Sequence, residues 1–282
     1  MRPRSPALPG SREAVRRKVA LGCALAVAGA AAAASAMAAG AVPVVAAASD
    51  LKFALEEVAH RFRADTGHEL KLVFGSSGNL HRQIVQGAPF ELFLSADEEL
   101  VFRLADAGLA PDRGVPYARG RLVLFAPKGS TIRPDQGLEA LRAAAADGRL
   151  QRLAIANPEH APYGRAAEQA LRAAGVWDAV RAKLVLGENV SQAAQFATSG
   201  AAQAGVFAYS LALAPQVAQL GSYALVPESM HAPLNQRMVL TRAAGPVARE
   251  FYRYLQQPGA HAVLERHGFV LPVPAPAAGG AR

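Results

Sequence analysis

The constraint that bears hardest on this chain is a rhythm. From residue 43 onward, short apolar runs alternate with longer segments whose apolar residues recur at three- and four-residue spacing. Residues 43–48 read as a strand. Residues 50–64 follow with Leu51, Ala54, Leu55, Val58 and Phe62 on one face, which is helical periodicity. Gly67 closes that segment, as glycine does after a helix. Residues 70–74, 91–95 and 121–126 read as further strands, with helices over 79–86 and 98–107 between them. A polar loop over 128–136 interrupts the rhythm. It resumes with strands at 153–156, 184–186, 204–208 and 237–241 and helices at 165–174, 191–198, 247–257 and 261–267. Strands alternating with helices imply parallel sheets covered on both faces, so the fold class is α/β.

The N-terminus follows different rules. Arg2, Arg4, Arg12, Arg16, Arg17 and Lys18 face only one acid, Glu13, and an Ala-rich apolar run follows, ending at small residues around Ala36-Met37-Ala38. A basic region, an apolar run and an A-x-A end make a secretory signal peptide, assigned to residues 1–38. Its removal takes away six basic groups and one acid, so the net charge of +8 falls to +3. The basic balance is thus a property of the leader and does not argue for nucleic acid. The single cysteine, Cys23, lies within it, which leaves the mature chain without disulfide, thiol nucleophile or thiolate metal site. Residues 273–282 are rich in Pro, Gly and Ala and read as a disordered tail.

In open α/β sheets ligands bind beyond the carboxyl ends of strands, where helix starts offer unpaired N–H donors and a partial positive charge. Four strand-to-helix turns carry small polar residues. In Ala47-Ala48-Ser49-Asp50, Ser49 reads equally well as a helix cap or as an anion donor. In Gly75-Ser76-Ser77-Gly78, two glycines permit a tight turn and close approach, and two serines supply hydroxyls. Asn157-Pro158 leads to Ala161-Pro162-Tyr163-Gly164, a stiff turn. Gly187-Glu188-Asn189-Val190-Ser191 is the fourth. Taken alone, the last two are ordinary turns. Catalytic patterns are absent: the histidines are scattered, no G-x-S-x-G elbow or phosphate loop occurs, and no residue pairing places His160 beside Ser77.

With these four segments in this order, the chain resembles the periplasmic molybdate-binding proteins of ABC importers from residue 42 to about residue 271. Gln83 to Pro89, Phe93-Leu94-Ser95-Ala96-Asp97, Tyr254-Leu255 and His267-Gly268-Phe269-Val270-Leu271 extend the likeness. The resemblance implies a two-lobed type II periplasmic-binding fold, each lobe a mostly parallel sheet flanked by helices, with two crossovers at the hinge. Lobe one would comprise residues 39–125 and 232–272, and lobe two residues 126–231. It further implies a monomeric binding protein, not an enzyme, without cofactor, that captures molybdate and also tungstate for a membrane permease. A binder of another small anion or organic ligand on the same fold is the neighbouring reading.

Carried over residue by residue, the site would be Ser49, Asp50 and Ser77 from lobe one with Tyr163 and Val190 from lobe two. Ser49 and Ser77 would touch the oxygens of the ion and not its metal atom. Tyr163, Val190 and Asp50 would give backbone N–H groups. Asp50 departs from the asparagine of other members. A carboxylate aimed at a dianion repels it, so its side chain is expected to turn away and serve the helix start. The tyrosine hydroxyl that some members add would align with Ala208. Tyr209 falls one residue late and is expected to face elsewhere.

Overall fold

The computed structural model describes residues 42–272, so the expected signal peptide and C-terminal tail lie outside the described residues. The strands are β1 (Val44–Ala48), β2 (Lys71–Gly75), β3 (Leu92–Ser95), β4 (Val115–Gly120), β5 (Leu122–Pro127), β6 (Leu153–Ala156), β7 (Leu184–Gly187), β8 (Ala204–Ala208), β9 (Gly221–Leu225) and β10 (Leu234–Leu240). The helices are α1 (Lys52–Thr66), α2 (Ser77–Val85), α3 (Glu98–Asp106), α4 (Ala140–Ala146), α5 (Pro162–Ala173), α6 (Trp177–Val180), α7 (Val190–Thr198), α8 (Tyr209–Ala212), α9 (Pro215–Ala218), α10 (Pro246–Tyr254) and α11 (Pro258–Arg266). A 3-10 turn, Ser49–Leu51, joins β1 to α1.

Two five-stranded sheets result, ordered β2-β1-β3-β10-β4 and β7-β6-β8-β5-β9. Each is mixed, with four strands sharing one direction and one running against them. β2, β1 and β3 run parallel, whereas β10 is antiparallel to both β3 and β4. In the second sheet β7, β6 and β8 run parallel, and β5 is antiparallel to β8 and β9. Strands joined through a helix return in the same direction. β5 and β10 instead enter their sheets across the hinge, and they run against their neighbours. The first crossing lies at Arg121, between β4 and β5. The expected lobe boundary at residue 125 falls inside β5, which pairs entirely within the second sheet. The return crossing runs between β9 and β10.

The alternation of strand side chains builds cores on both faces of the first sheet. Val45, Ala47, Leu92 and Leu94 pack with Leu55, Val58, Phe62, Phe251 and Val263, while Ala46 and Phe93 pack on the other face with Leu80, Val101 and Leu104. The second lobe is closed around Phe125, Ile155, Leu171 and Phe207, with the Phe125 and Phe207 rings 5.4 Å apart. β4, β9 and α4 were not legible as elements. β4 carries Pro116 and Arg119 on the outer edge of its sheet, and β9 is an edge strand with half-exposed residues. Edge strands lack the apolar signature of buried ones.

Phe207 is fully buried. Phe207→Ala is expected to cost about 3–5 kcal/mol of stability through the cavity it leaves, read as a lowered midpoint in urea unfolding.

Candidate functional site

The parallel strands of both sheets end at the same interlobe seam. At their carboxyl ends stand the 3-10 turn after β1, α2 after β2, α5 after β6 and α7 after β7. The first N–H groups of each have no partner within their own helix. Ala48 and Ala161, the residues before the 3-10 turn and α5, provide no capping side chain, so those starts are open. α2 and α7 are capped by Ser76 and Asn189, which accept from Asn79 N and Gln192 N.

These starts meet around one small, narrow cavity. Ser49, Asp50, Ser77, Tyr163 and Val190 all line it, together with Ala48, Gly75, Ser76, Ala96, Ala161 and Pro162. The structure therefore brings the five expected residues together. No lysine, arginine or histidine is among the lining residues. Tyr209 is not there: its ring lies under the Arg121 guanidinium at 4.6 Å and beside Tyr223 at 5.6 Å.

Backbone approaches the cavity because small residues let it. A side chain at Gly164 would run into the Ala156 carbonyl, and one at Gly78 into the His160 carbonyl. The Gly78 N–H donates to that carbonyl at 3.0 Å, a backbone bond from lobe one to lobe two.

The two serines are placed differently. Ser77 Oγ accepts from Ala96 N at 2.9 Å, which leaves the hydroxyl proton free for the cavity. Ser49 is held from the opposite lobe. Its hydroxyl donates to Asn189 Oδ1 at 3.1 Å and accepts from Ser191 N at 3.3 Å, while Ser191 Oγ donates to the Ser49 carbonyl at 2.7 Å. Asn189 and Ser191 were unread as functional because each alone is an ordinary polar residue at a helix start. His160 pairs through Nδ1 with Ser76 Oγ at 2.9 Å, and its Nε2 lies 3.7 Å from Glu188. This serine is buried and committed as the α2 cap, so the string joins the lobes and presents no nucleophile.

Behind the cavity lies a buried polar network. Gln236 Oε1 accepts from the Tyr117 hydroxyl at 2.7 Å, and its Nε2 donates to Asp50 Oδ2 at 2.6 Å and to the Tyr163 hydroxyl at 3.2 Å. The Tyr163 hydroxyl accepts there. Burial pushes both tyrosine hydroxyls well above their ordinary range, so both remain protonated. Burial likewise raises the Asp50 carboxyl from 3.8 to about 6, against the lowering effect of Gln236, Tyr163 and the N–H groups of Asp50 and Leu51. The side chain is wholly buried, and it belongs to a residue that lines the cavity instead of standing as a solvated helix-start charge. Gln236 and Tyr117 escaped notice: one precedes the expected strand at 237–241, the other sits in the unread β4.

The comparisons with known proteins agree with this architecture. Over residues 43–270 the sequence matches the family of bacterial extracellular solute-binding proteins, and the chain belongs to it. It is a binding-protein family and not an enzyme family, and it acts outside the cytoplasm. Within that class, the chain is 36% identical over 230 residues to the molybdate-binding protein ModA of Rhodobacter capsulatus, covering 80% of this chain and 87% of that protein. The periplasmic molybdate-binding protein of Azotobacter vinelandii superposes with a TM-score of 0.74 at 32% identity, over 82% of this chain and all of that one. The sulfate-binding protein SubI of Mycobacterium tuberculosis shares the fold at 15% identity, with a TM-score of 0.67 over 83% of this chain and 88% of that one.

Two outcomes follow from this geometry. Gly78→Ala is expected to force the seam apart, giving a larger radius of gyration by small-angle X-ray scattering. Asp50 contributes a pH-dependent cost. A raised carboxyl favours the folded state fully below the unfolded value of 3.8, and that advantage is lost as pH rises through about 6. The loss amounts to ~3 kcal/mol for a shift of about two units. Asp50→Asn is therefore expected to gain roughly 2 kcal/mol more stability at pH 8 than at pH 4.5, measured by denaturant unfolding.

Proposed function

We propose that this chain captures molybdate in the interlobe cavity and presents it to the permease of an ABC importer. The observation that carries the reading is the convergence of open helix starts on a cavity lined by no cationic side chain. A fully ionised tetrahedral oxyanion offers only acceptors. Hydrogen bonds to a charged group are worth about twice those to a neutral one, so a shell of N–H and O–H donors holds it without a counter-charge. Ser77 and the N–H groups of Asp50, Tyr163 and Val190 are the donors in this reading, joined by the Ser49 hydroxyl when it turns from Asn189 Oδ1 to the ion. Their division between two lobes makes closure depend on the ion, and the closed form is what the permease would recognise.

Size sets the choice of ion. Sulfate is smaller and leaves donors unmet. Tungstate matches molybdate in size and charge, and we propose that both bind. The chain acts as a monomer, exported with its leader removed. The identity of the ModA relatives and the Azotobacter structure supports molybdate, whereas the sulfate-binding relative resembles this chain in fold alone.

Thermal shift with molybdate, tungstate, sulfate and phosphate tests this. Molybdate and tungstate should raise the melting temperature in proportion to the logarithm of their concentration. Equal shifts with sulfate would defeat the reading. Ser77→Ala, which deletes a hydroxyl donor to a charged ligand, is expected to weaken molybdate binding about 10- to 100-fold by calorimetry.

A further inference from the structure

Asp50 is the one acidic side chain in the lining of the cavity, and its two oxygens are unequal. Oδ2 accepts from Gln236 Nε2 at 2.6 Å, while Oδ1 is buried with no hydrogen-bond partner among the described residues. No other lining residue has a buried side-chain polar atom left in that condition. A buried carboxylate oxygen without a donor is costly unless it carries a hydrogen of its own. The groups facing this carboxyl give it no positive partner. From lobe one they are Gln236 of β10, Tyr117 of β4 and the N–H groups of Asp50 and Leu51, and from lobe two Tyr163 of α5. Both tyrosines are neutral, and Asp50 itself is 1% exposed.

We propose that Asp50 meets the bound oxyanion as the neutral acid and donates to it through Oδ1–H, so that each dianion captured brings one proton from solvent into the cavity. This rests on the oxyanion reading of the site. No bond other than the hydrogen bond forms: the proton comes from water and returns to it on release. Two opposing effects decide the matter. At pH 7.5 a carboxyl that titrates at about 6 carries its proton roughly one time in thirty, so supplying it weakens binding about thirtyfold. An ionised carboxylate about 4 Å from the ion, at an effective dielectric near 20, weakens binding roughly a thousandfold for each unit of ligand charge. Protonation is the smaller penalty, and it converts a repelling acceptor into a donor. The second charge of the ion raises the carboxyl further.

The consequence is a pH-graded affinity in a site whose other donors do not titrate in the neutral range. Calorimetric titration of the whole protein with sodium molybdate at pH 6.5, 7.5 and 8.5, in two buffers of different ionisation enthalpy, reads both affinity and proton count. Expected are close to one proton taken up per ion at pH 8.5, fewer at pH 6.5, and a Kd that rises about tenfold between pH 7.5 and 8.5. Asp50→Asn supplies a donor that needs no proton. Its Kd should be the same at all three values, with no proton uptake, and at least tenfold lower than that of the wild type at pH 8.5. Wild-type binding with no proton uptake and a constant Kd would overturn the proposal and leave the oxyanion site standing. So would an Asp50→Asn protein that still takes up the proton. Should molybdate not bind at any pH, the oxyanion reading fails and this inference with it. The wild-type proton count decides the question even where the variant folds poorly.

Discussion

Everything at the cleft depends on one electrostatic choice: positive potential is supplied by helix starts and not by cations. Open N–H groups carry only partial charge, and their influence fades within a turn, so several must converge on the same few ångströms. That requirement dictates the residues around them. Ala48, Gly75, Ala96 and Ala161 line the cavity as small groups that let backbone come close. Gly164 presses the first turn of α5 against the end of β6, where any side chain would strike the Ala156 carbonyl. The sheets matter because their parallel halves deliver four strand ends to one seam.

The seam is held by many weak links. Ser49 bonds to Asn189 and Ser191, Ser210 Oγ donates to the Asp50 carbonyl at 2.8 Å, and Gly78 and Ser76 meet His160. Arg165 with Asp97 and Asn79 with Glu188 add polar contacts nearer the surface. Buried neutral hydrogen bonds contribute about 1 kcal/mol each, and exposed ion pairs about 0–1. Opening exposes donors that water can satisfy, so the net bias toward closure is a small fraction of the gross sum. A small bias suits a protein that must both close on an ion and let it go, since a ligand moves an equilibrium only by its differential affinity for the two states. Ser49 belongs to both systems at once, as a cavity residue and as a link between lobes.

Much of the fold was legible because it follows from burial. Strands covered on both faces are continuous apolar runs, and helices such as α1 show their inward stripe of Leu55, Val58 and Phe62. The sites at Ser49 and Ser77 were legible for a different reason: small polar residues at strand-to-helix turns have few structural uses in such density. What escaped was polar and nonlocal. β4 and β9 are the end strands of their sheets and carry no apolar signature. Gln236 and Tyr117 owe their importance to each other and to Asp50, residues more than sixty positions away in either pairing, and no local pattern encodes that meeting. The direction of β5 and β10 likewise comes from how the chain crosses the hinge, which periodicity does not record.

Tyr163 shows why the hinge and the cavity cannot be treated separately. Its main chain stands in the first turn of α5, facing the cavity, while its hydroxyl reaches Gln236 of β10 in the other lobe. Gly120, the last residue of β4 before the crossing, has no side chain because the Tyr163 hydroxyl occupies that space. Gln236 in turn holds Asp50, whose own main chain is again at the cavity. A rotation of one lobe must break the Tyr163–Gln236 bond. It would thereby free the amide that positions the carboxyl and change the environment in which Asp50 titrates. Opening the cleft and changing the charge of its one acidic residue are therefore parts of a single equilibrium, joined through a glutamine that stands outside the lining of the cavity.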